Sequence, residues 1–455
     1  MAQTLSYSQH VRAILVLGLP LIGSHMAQIA IGATDTVMLG WYSAEALAAV
    51  TLAASSVFFP ALLIGSGFAW AVMPMVAKAS VEGDEVRIRR VTRMGFWLVL
   101  IFAALLMPAM IWSKPWLIAI GQAPENADAA QGYLRIAGWA LIPGLLVMVL
   151  KGYLSALERT QIVLWVTIGA AVLNGVLNYI LIFGNFGAPE MGLAGAAIAS
   201  LALHTASLVW LVLYARKHFP QHDLFTRLWR IDMPIFAEVW RLGAPISVTS
   251  FAESGLFAVS ALMMGALGTL ELATHGVALN LAALTFMVHV GLSQAATVRA
   301  GRALGQRDAL ELKRGGRVAI GMSVVFAGLT IAMFLSIPEF LIALFISPDD
   351  PLKPEIVSLG VGLLAMAALF QFADGAQVMA LGLLRGVQDT RVPMLLASFS
   401  YWAVGLPVAW WLGFHTSLGP YGVWLGLVVG LALAGITLMW RFWGPGGWQG
   451  RMSLA

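Results

Sequence analysis

The sequence predicts an all-α integral membrane protein, with twelve transmembrane helices in two pseudo-symmetric six-helix lobes. Three observations carry this: an apolar composition, basic residues that alternate between connecting loops, and an internal repeat. Of 455 residues, 60% are hydrophobic and only 11% charged, and the mean hydropathy is +0.85. A soluble domain carries about 25% charged residues to cover its surface. The apolar residues fall in runs such as 96–111, 162–183, 193–214 and 318–335. These approach or reach the ~20 residues that cross about 30 Å of hydrocarbon as a helix. No period-two alternation recurs, which argues against a β-barrel. The absence of cysteine excludes disulfides and thiolate metal sites.

Pro, Gly and charge punctuation divides the chain into spans near 12–39, 46–72, 93–118, 133–155, 162–184, 191–214, 238–265, 275–298, 315–345, 358–385, 392–414 and 420–441. The ninth reads either as one long helix or as a helix with an interfacial end at Pro338. The first apolar run begins near Val11 and outlasts the core of a cleavable signal, so it reads as an uncleaved span.

The basic residues set the expected orientation. With the N-terminus inside, 23 of the 26 Lys and Arg fall in inner loops or termini; only Lys114, Arg135 and Lys353 fall outside. Such a bias marks the cytoplasmic side, and adding or dropping one span would scramble it. The expectation is a multi-pass membrane protein with both termini cytoplasmic. Trp41, Trp112, Trp116 and Trp139 lie near outer boundaries, where amphipathic rings settle. The net charge of +4 is therefore a topology signal, and no nucleic-acid partner is expected.

The chain also repeats. Leu17-Gly18-Leu19-Pro20 returns as Leu242-Gly243-Ala244-Pro245, Gly40 as Gly265 and Leu47-Ala48 as Leu272-Ala273, all at a shift of 225. The shift is 224 at Arg89-Arg90 against Lys313-Arg314, and 230 at Thr160 against Thr390. This gives an N-terminal lobe over 1–220, a linker over 221–237 and a C-terminal lobe over 238–455. Six spans per half make the repeat parallel, as in secondary transporters with a site between their halves.

Three acidic residues lie inside spans: Asp35, Glu253 and Asp374. A charge at bilayer depth costs at least ~2.5–3.5 kcal/mol on insertion scales, so it usually faces a cavity and has a task. Every Lys and Arg is counted with a loop or a span's end, which leaves a proton, a small cation or a cationic substrate as partner. Polar company follows at helical spacing: Gln28 and Ser24 with Asp35, Thr249 and Ser260 with Glu253, Gln371 and Gln377 with Asp374. Asn174 and Asn178, four apart on the fifth span, are positioned to face Asp35. Carboxylates with amide and hydroxyl oxygens suit a dehydrated alkali cation or a carboxyl that cycles its proton. The structural alternatives are a solvated Asp35 near Gly40-Trp41 and asparagines that merely tie helices together. Phe257, Phe286, Met287 and Phe370 line a drug pocket or simply pack helices. His25, His204, His275 and His289 show no ligand spacing, and His218 and His222 flank Pro220 in a loop expected to be solvated. Pro20 and Pro245 break one backbone bond early in each half, giving a static kink or a hinge.

At this point a family likeness enters. Gln371-Phe372-Ala373-Asp374-Gly375-Ala376-Gln377, with Gly382-Leu383-Leu384-Arg385-Gly386, Asp389-Thr390 and Pro393, resembles the tenth-helix signature of the multidrug and toxic compound extrusion (MATE) family. Ala33-Thr34-Asp35-Thr36-Val37-Met38-Leu39-Gly40 is similar to its first-helix motif. Asn174…Asn178-Tyr179…Phe183-Gly184…Gly187 is similar to its fifth, and Val298-Arg299-Ala300-Gly301…Leu304-Gly305 to its eighth-helix end. Carboxylates on the seventh and tenth helices resemble the NorM-type branch. The resemblance implies a V-shaped twelve-helix antiporter, a monomer without cofactor, exporting amphiphilic, mostly cationic compounds against entering Na+ or H+. It implies Glu253 and Asp374 as a cation site, where Na+ is the only metal expected, and Asp35 with Asn174 and Asn178 as a protonatable site. Asn280 and Gln371 are added as polar neighbours. Asp349 and Asp350 fall in an outer loop and receive no role.

Three other functions compete. One is a channel, against which the pseudo-symmetric halves favour alternating access. A flippase for lipids or lipid-linked glycans needs a basic lumen, which these spans lack. A membrane enzyme needs paired acids or histidines at one interface, and here the three acids sit on three helices.

Overall fold

The computed structural model describes residues 5–347, 350–444 and 447–454, so Asp349 lies outside it. Among the described residues twelve helices are long and apolar enough to cross a membrane. They are α1 (Tyr7–Tyr42), α2 (Ala44–Glu82), α3 (Glu85–Ile111), α4 (Pro124–Ala156), α5 (Thr160–Phe183) and α6 (Gly192–His218). The second six are α7 (Met233–Leu267), α8 (Thr269–Gln306), α9 (Ala309–Ser336), α10 (Lys353–Gly386), α11 (Arg391–Phe414) and α12 (Pro420–Trp443). The helices overrun the apolar runs because their polar ends continue the hydrogen-bond ladder beyond the hydrocarbon.

One boundary departs from the sequence reading, and at another the second of its two alternatives holds. The expected span 93–118 breaks at Trp112, and Pro115 helps to open a short helix, Lys114–Ala119. The ninth span ends at Ser336, with Pro338 opening the short helix Pro338–Ala343. In both places the ring suits a helix's first turn, where its missing N–H is not needed. Local chemistry repeats elsewhere as well. Asp84 and Asp308, 224 residues apart, cap α3 and α9 by accepting backbone N–H groups. The residues before them, Gly83 and Arg307, take left-handed φ of 71° and 55°, a conformation that is easy for glycine alone.

The chain forms two compact units: Gly23–Ser247, and Met1–Ile22 together with Val248–Ala455. The divisions therefore fall inside α1 and α7, not in the 221–237 linker. They come two residues after Pro20 and Pro245, which lie inside continuous helices.

In the Gly23–Ser247 unit, α4 is central and packs on α2, α3 and α6. The linker is fastened to α3: Arg93 donates to the carbonyls of Leu224 (2.9 Å) and Asp223 (2.6 Å), and Trp97 Nε1 to that of Leu228 (2.7 Å). His222 is buried, in contrast to the expectation of a solvated loop, with Nδ1 2.5 Å from the Tyr153 hydroxyl. Burial pushes the His222 imidazole below its ordinary value of 6.5, opposed by the charge of Glu85.

In the other unit, α10 is central and packs on α8, α9 and α12. The glycines of the Gly382–Gly386 signature are the means of approach. A Cβ on Gly382 would lie 2.1 Å from Ser293 Oγ, and one on Gly386 2.8 Å from the Thr297 carbonyl. That proximity lets Ser293 and Thr297 donate across to the carbonyls of Val378 (2.7 Å) and Gly382 (2.8 Å). Small residues at crossings are how membrane helices pack without a hydrophobic drive. At the basic ends, Glu311 accepts from Arg299 and lies 3.5 Å from His10, and Arg441 pairs with Asp389 at 2.9 Å. Large apolar side chains on the spans, such as Leu105, Leu262 and Ile436, are left exposed.

Candidate functional site

Each unit holds one of the expected acidic groups. In the Gly23–Ser247 unit, α1 and α5 meet along a polar seam. Asn174 and Asn178 are fully buried and both donate through Nδ2 to one oxygen, Asp35 Oδ1, at 2.9 and 2.6 Å. Their four-residue spacing puts them on one face of α5, so one carboxylate oxygen takes both. The amide oxygens of both asparagines have no hydrogen-bond partner among the described residues. The Asp35 carboxylate, half-buried, thus lies beside vacant oxygens able to ligate a cation or accept a proton's hydrogen bond. Tyr133 of α4 is an electrostatic neighbour of Asp35, a residue the sequence reading did not single out. Gln28 is exposed, and its side chain has no hydrogen bond among the described residues.

In the other unit, α10 presents Gln371, Asp374 and Gln377, all buried. Gln377 Nε2 lies 3.4 Å from Glu253 Oε1 of α7 and 2.5 Å from the Tyr401 hydroxyl of α11. Glu253 and Asp374 are close enough to act on each other electrostatically. Gln371 ties α10 to α8 by donating to the Ala282 carbonyl at 3.1 Å and to the Thr285 hydroxyl. Among the described residues three acceptors on this one helix remain without a donor: Asp374 Oδ1, Gln371 Oε1 and Gln377 Oε1. Buried polar atoms are rarely left so, and an array composed only of oxygens fits a hard cation. Two adjacent carboxylates repel in a low-dielectric interior, and one cation or proton removes the repulsion. Asn280 does not join this group: it is exposed and donates to the Gly276 carbonyl of its own helix at 2.9 Å.

One premise of the sequence reading is corrected. Lys and Arg do occur within the long helices. Lys151 belongs to α4, with its ammonium 2.8 Å from Thr167 Oγ1, and Arg385 belongs to α10 and acts electrostatically on Glu253. The sequence counts both with the inner loops because they stand close to the ends of the apolar runs. Tyr401 is also a neighbour of Glu253 and Asp374; nothing in its apolar surroundings marks it in the sequence.

With this geometry in hand, the comparisons with known proteins decide the family. The MatE sequence pattern matches residues 20–180 and 245–411, one stretch in each repeat. The chain belongs to the MatE family. A probable multidrug resistance protein NorM of Rhizobium meliloti (strain 1021) is 45% identical over 96% of this chain and 94% of its own. A multidrug resistance protein NorM of Burkholderia vietnamiensis is 36% identical over 96% and 94%. Among solved structures, the eukaryotic MATE transporter AtDTX14 superposes with a TM-score of 0.86 at 18% identity, covering 98% of both chains. A MATE in the straight conformation gives 0.85 at 20%, covering 99% and 98%. These two share the MatE fold. This MatE chain is a multi-pass membrane transporter and not an enzyme.

Proposed function

We propose that this transporter exports amphiphilic, mostly cationic compounds in exchange for entering Na+ or H+, by alternating access. Its relatives are named multidrug resistance proteins. The observation that carries the coupled reading is the set of unpartnered oxygens beside Glu253 and Asp374. A cation or proton held there alters the local charge by one unit, which is what a driving ion must do. Asp35, with Asn174 and Asn178, supplies a second protonatable group. Coupling requires that drug and cation differ in affinity between inward and outward states, since equal binding shifts nothing. The reading includes an inner-membrane location, cytoplasmic termini, a monomer and no resident cofactor. Pro20 and Pro245 are the bends that would change between states.

The test is ethidium efflux in proteoliposomes under an imposed Na+ gradient and, separately, an imposed pH gradient. One of the gradients should drive wild-type efflux, and Glu253→Gln with Asp374→Asn should abolish it while leaving the inserted amount unchanged. Full efflux by the double variant would refute the coupling role. Lys151 lends some support to the flippase reading, because it is a cation inside the bundle. Gradient-driven export of a water-soluble dye separates the two.

A further inference from the structure

The internal repeat gives each position of one unit a counterpart in the other, and the acidic site has an unexpected one. At the shift of 225 Glu253 corresponds to Gln28. At the shift of 230, set by Thr160 and Thr390, Asp374 corresponds to Gly144. The same shift pairs Gly152 with Gly382, and both glycines face the second helix of their unit: a Cβ on Gly152 would meet the Ala69 carbonyl of α2 at 3.3 Å. The Gly23–Ser247 unit therefore carries no acid at the positions equivalent to the paired acids. Gly144 instead leaves room for His204 of α6, whose Nδ1 would stand 3.6 Å from a Cβ there.

Two turns along α4 from Gly144 is Lys151, half-buried. Its ammonium bonds Thr167 Oγ1, which also lies 2.8 Å from Ser24 Oγ. The single hydroxyl hydrogen of Thr167 goes to the Val163 carbonyl at 2.7 Å, so Ser24 and Lys151 both donate to it. That leaves two ammonium N–H groups without a partner among the described residues. No carboxylate is within ion-pair distance of Lys151 among the described residues, and neither ring nitrogen of His204 has a hydrogen bond there. His204 is an electrostatic neighbour of the ammonium. Asp35 is not the missing counter-charge. Ser24–Thr167 and Asp35–Asn178 share a register of 143, which places them eleven residues, or ~16 Å, apart along the parallel helices. The vacancies at these two sites are thus of opposite kind: oxygens around Asp374, N–H donors around Lys151.

We propose that Lys151, with His204, Thr167 and Ser24, forms an anion site that holds the carboxylate of zwitterionic substrates. An ammonium in a bundle interior is costly without a counter-charge. An arriving carboxylate supplies that charge along with charge-assisted hydrogen bonds to the vacant donors. This proposal rests on the exporter reading, to which it adds the residues that hold the negative end of a substrate.

The probe is a rhodamine with a free benzoate and the ethyl ester of the same dye, alike in ring system and different in one negative charge. Efflux of each is measured in proteoliposomes holding equal amounts of wild type, Lys151→Gln or Lys151→Arg. Lys151→Gln should raise KM for the free acid about tenfold with kcat little changed, and leave the ester untouched. Lys151→Arg should retain both dyes. Equal losses for acid and ester, or no loss for either, would overturn the proposal. If Lys151→Gln fails to insert, His204→Gln, which leaves the ammonium in place, should still weaken the acid selectively; unchanged acid-to-ester preference there overturns it. Wild type moving neither dye refutes the exporter reading itself.

Discussion

Replacing Gln371 with leucine separates a structural tie from a cation ligand. Gln371 donates two neutral hydrogen bonds to α8, and its Oε1 has no donor. Interhelical bonds between membrane helices average ~0.6 kcal/mol each, so their removal should cost about 1 kcal/mol of stability. The groups left behind do not become orphans, because Thr285 Oγ1 also bonds the carbonyls of Leu281 and Ala282 at 3.3 and 2.9 Å. Leucine fills a similar volume without the oxygen. If Oε1 ligates the driving cation, its loss should exceed that of a tie, raising the half-saturating Na+ or H+ activity about tenfold, or ~1.4 kcal/mol. The assay is gradient-driven ethidium efflux against cation activity, with thermal unfolding of the purified protein measured in parallel. A lower melting temperature with an unchanged half-saturation would show that Gln371 only fastens α10 to α8, and the oxygen-site argument would fail at this residue.

Further outcomes follow from the packing. Gly382→Ala should destabilise the protein by about 1–3 kcal/mol through overpacking, because its Cβ meets Ser293 Oγ at 2.1 Å and the Ser293 carbonyl at 2.7 Å. Gly152→Ala should cost less, with its closest contact at 3.3 Å; equal melting temperatures for the two variants would contradict this. Arg93→Ala combined with Trp97→Phe removes three of the bonds that hold the linker to α3, and proteolysis within 223–232 should accelerate severalfold. The linker should also respond to pH. The imidazole of His222 is held below 6.5 in the folded protein, so the unfolded segment binds a proton first as pH falls. Docking is fully stable above 6.5 and weakens below it. Hydrogen exchange over 219–226 should therefore rise between pH 6.5 and 5 in wild type and stay flat in His222→Asn.

The span count was legible because hydrocarbon thickness imposes run lengths and basic loops punctuate them. Gly382 and Gly386 looked like a family signature; the structure shows that their task is to admit Ser293 and Thr297. Asp35 with Asn174 and Asn178 could be grouped from spacing alone, since a four-residue step leaves two amides on one face. Lys151 and Arg385 were missed for a physical reason. Hydropathy windows end at the first charge, whereas the helix and its neighbours continue, so a charge near a span's end can lie inside the bundle. Tyr133 and Tyr401 carry one hydroxyl on an apolar ring, and only a fold shows where that hydroxyl goes. Asn280 was misjudged because a buried partner and its own carbonyl look alike from sequence.

The division inside α1 sets a timetable for synthesis. The first 22 residues belong to a unit whose remaining chain starts at Val248. At about 5–20 residues per second, their partners reach them roughly 11–45 s after they leave the ribosome. Through that interval the opening segment, with Pro20 near its end, must wait in the bilayer without its final neighbours.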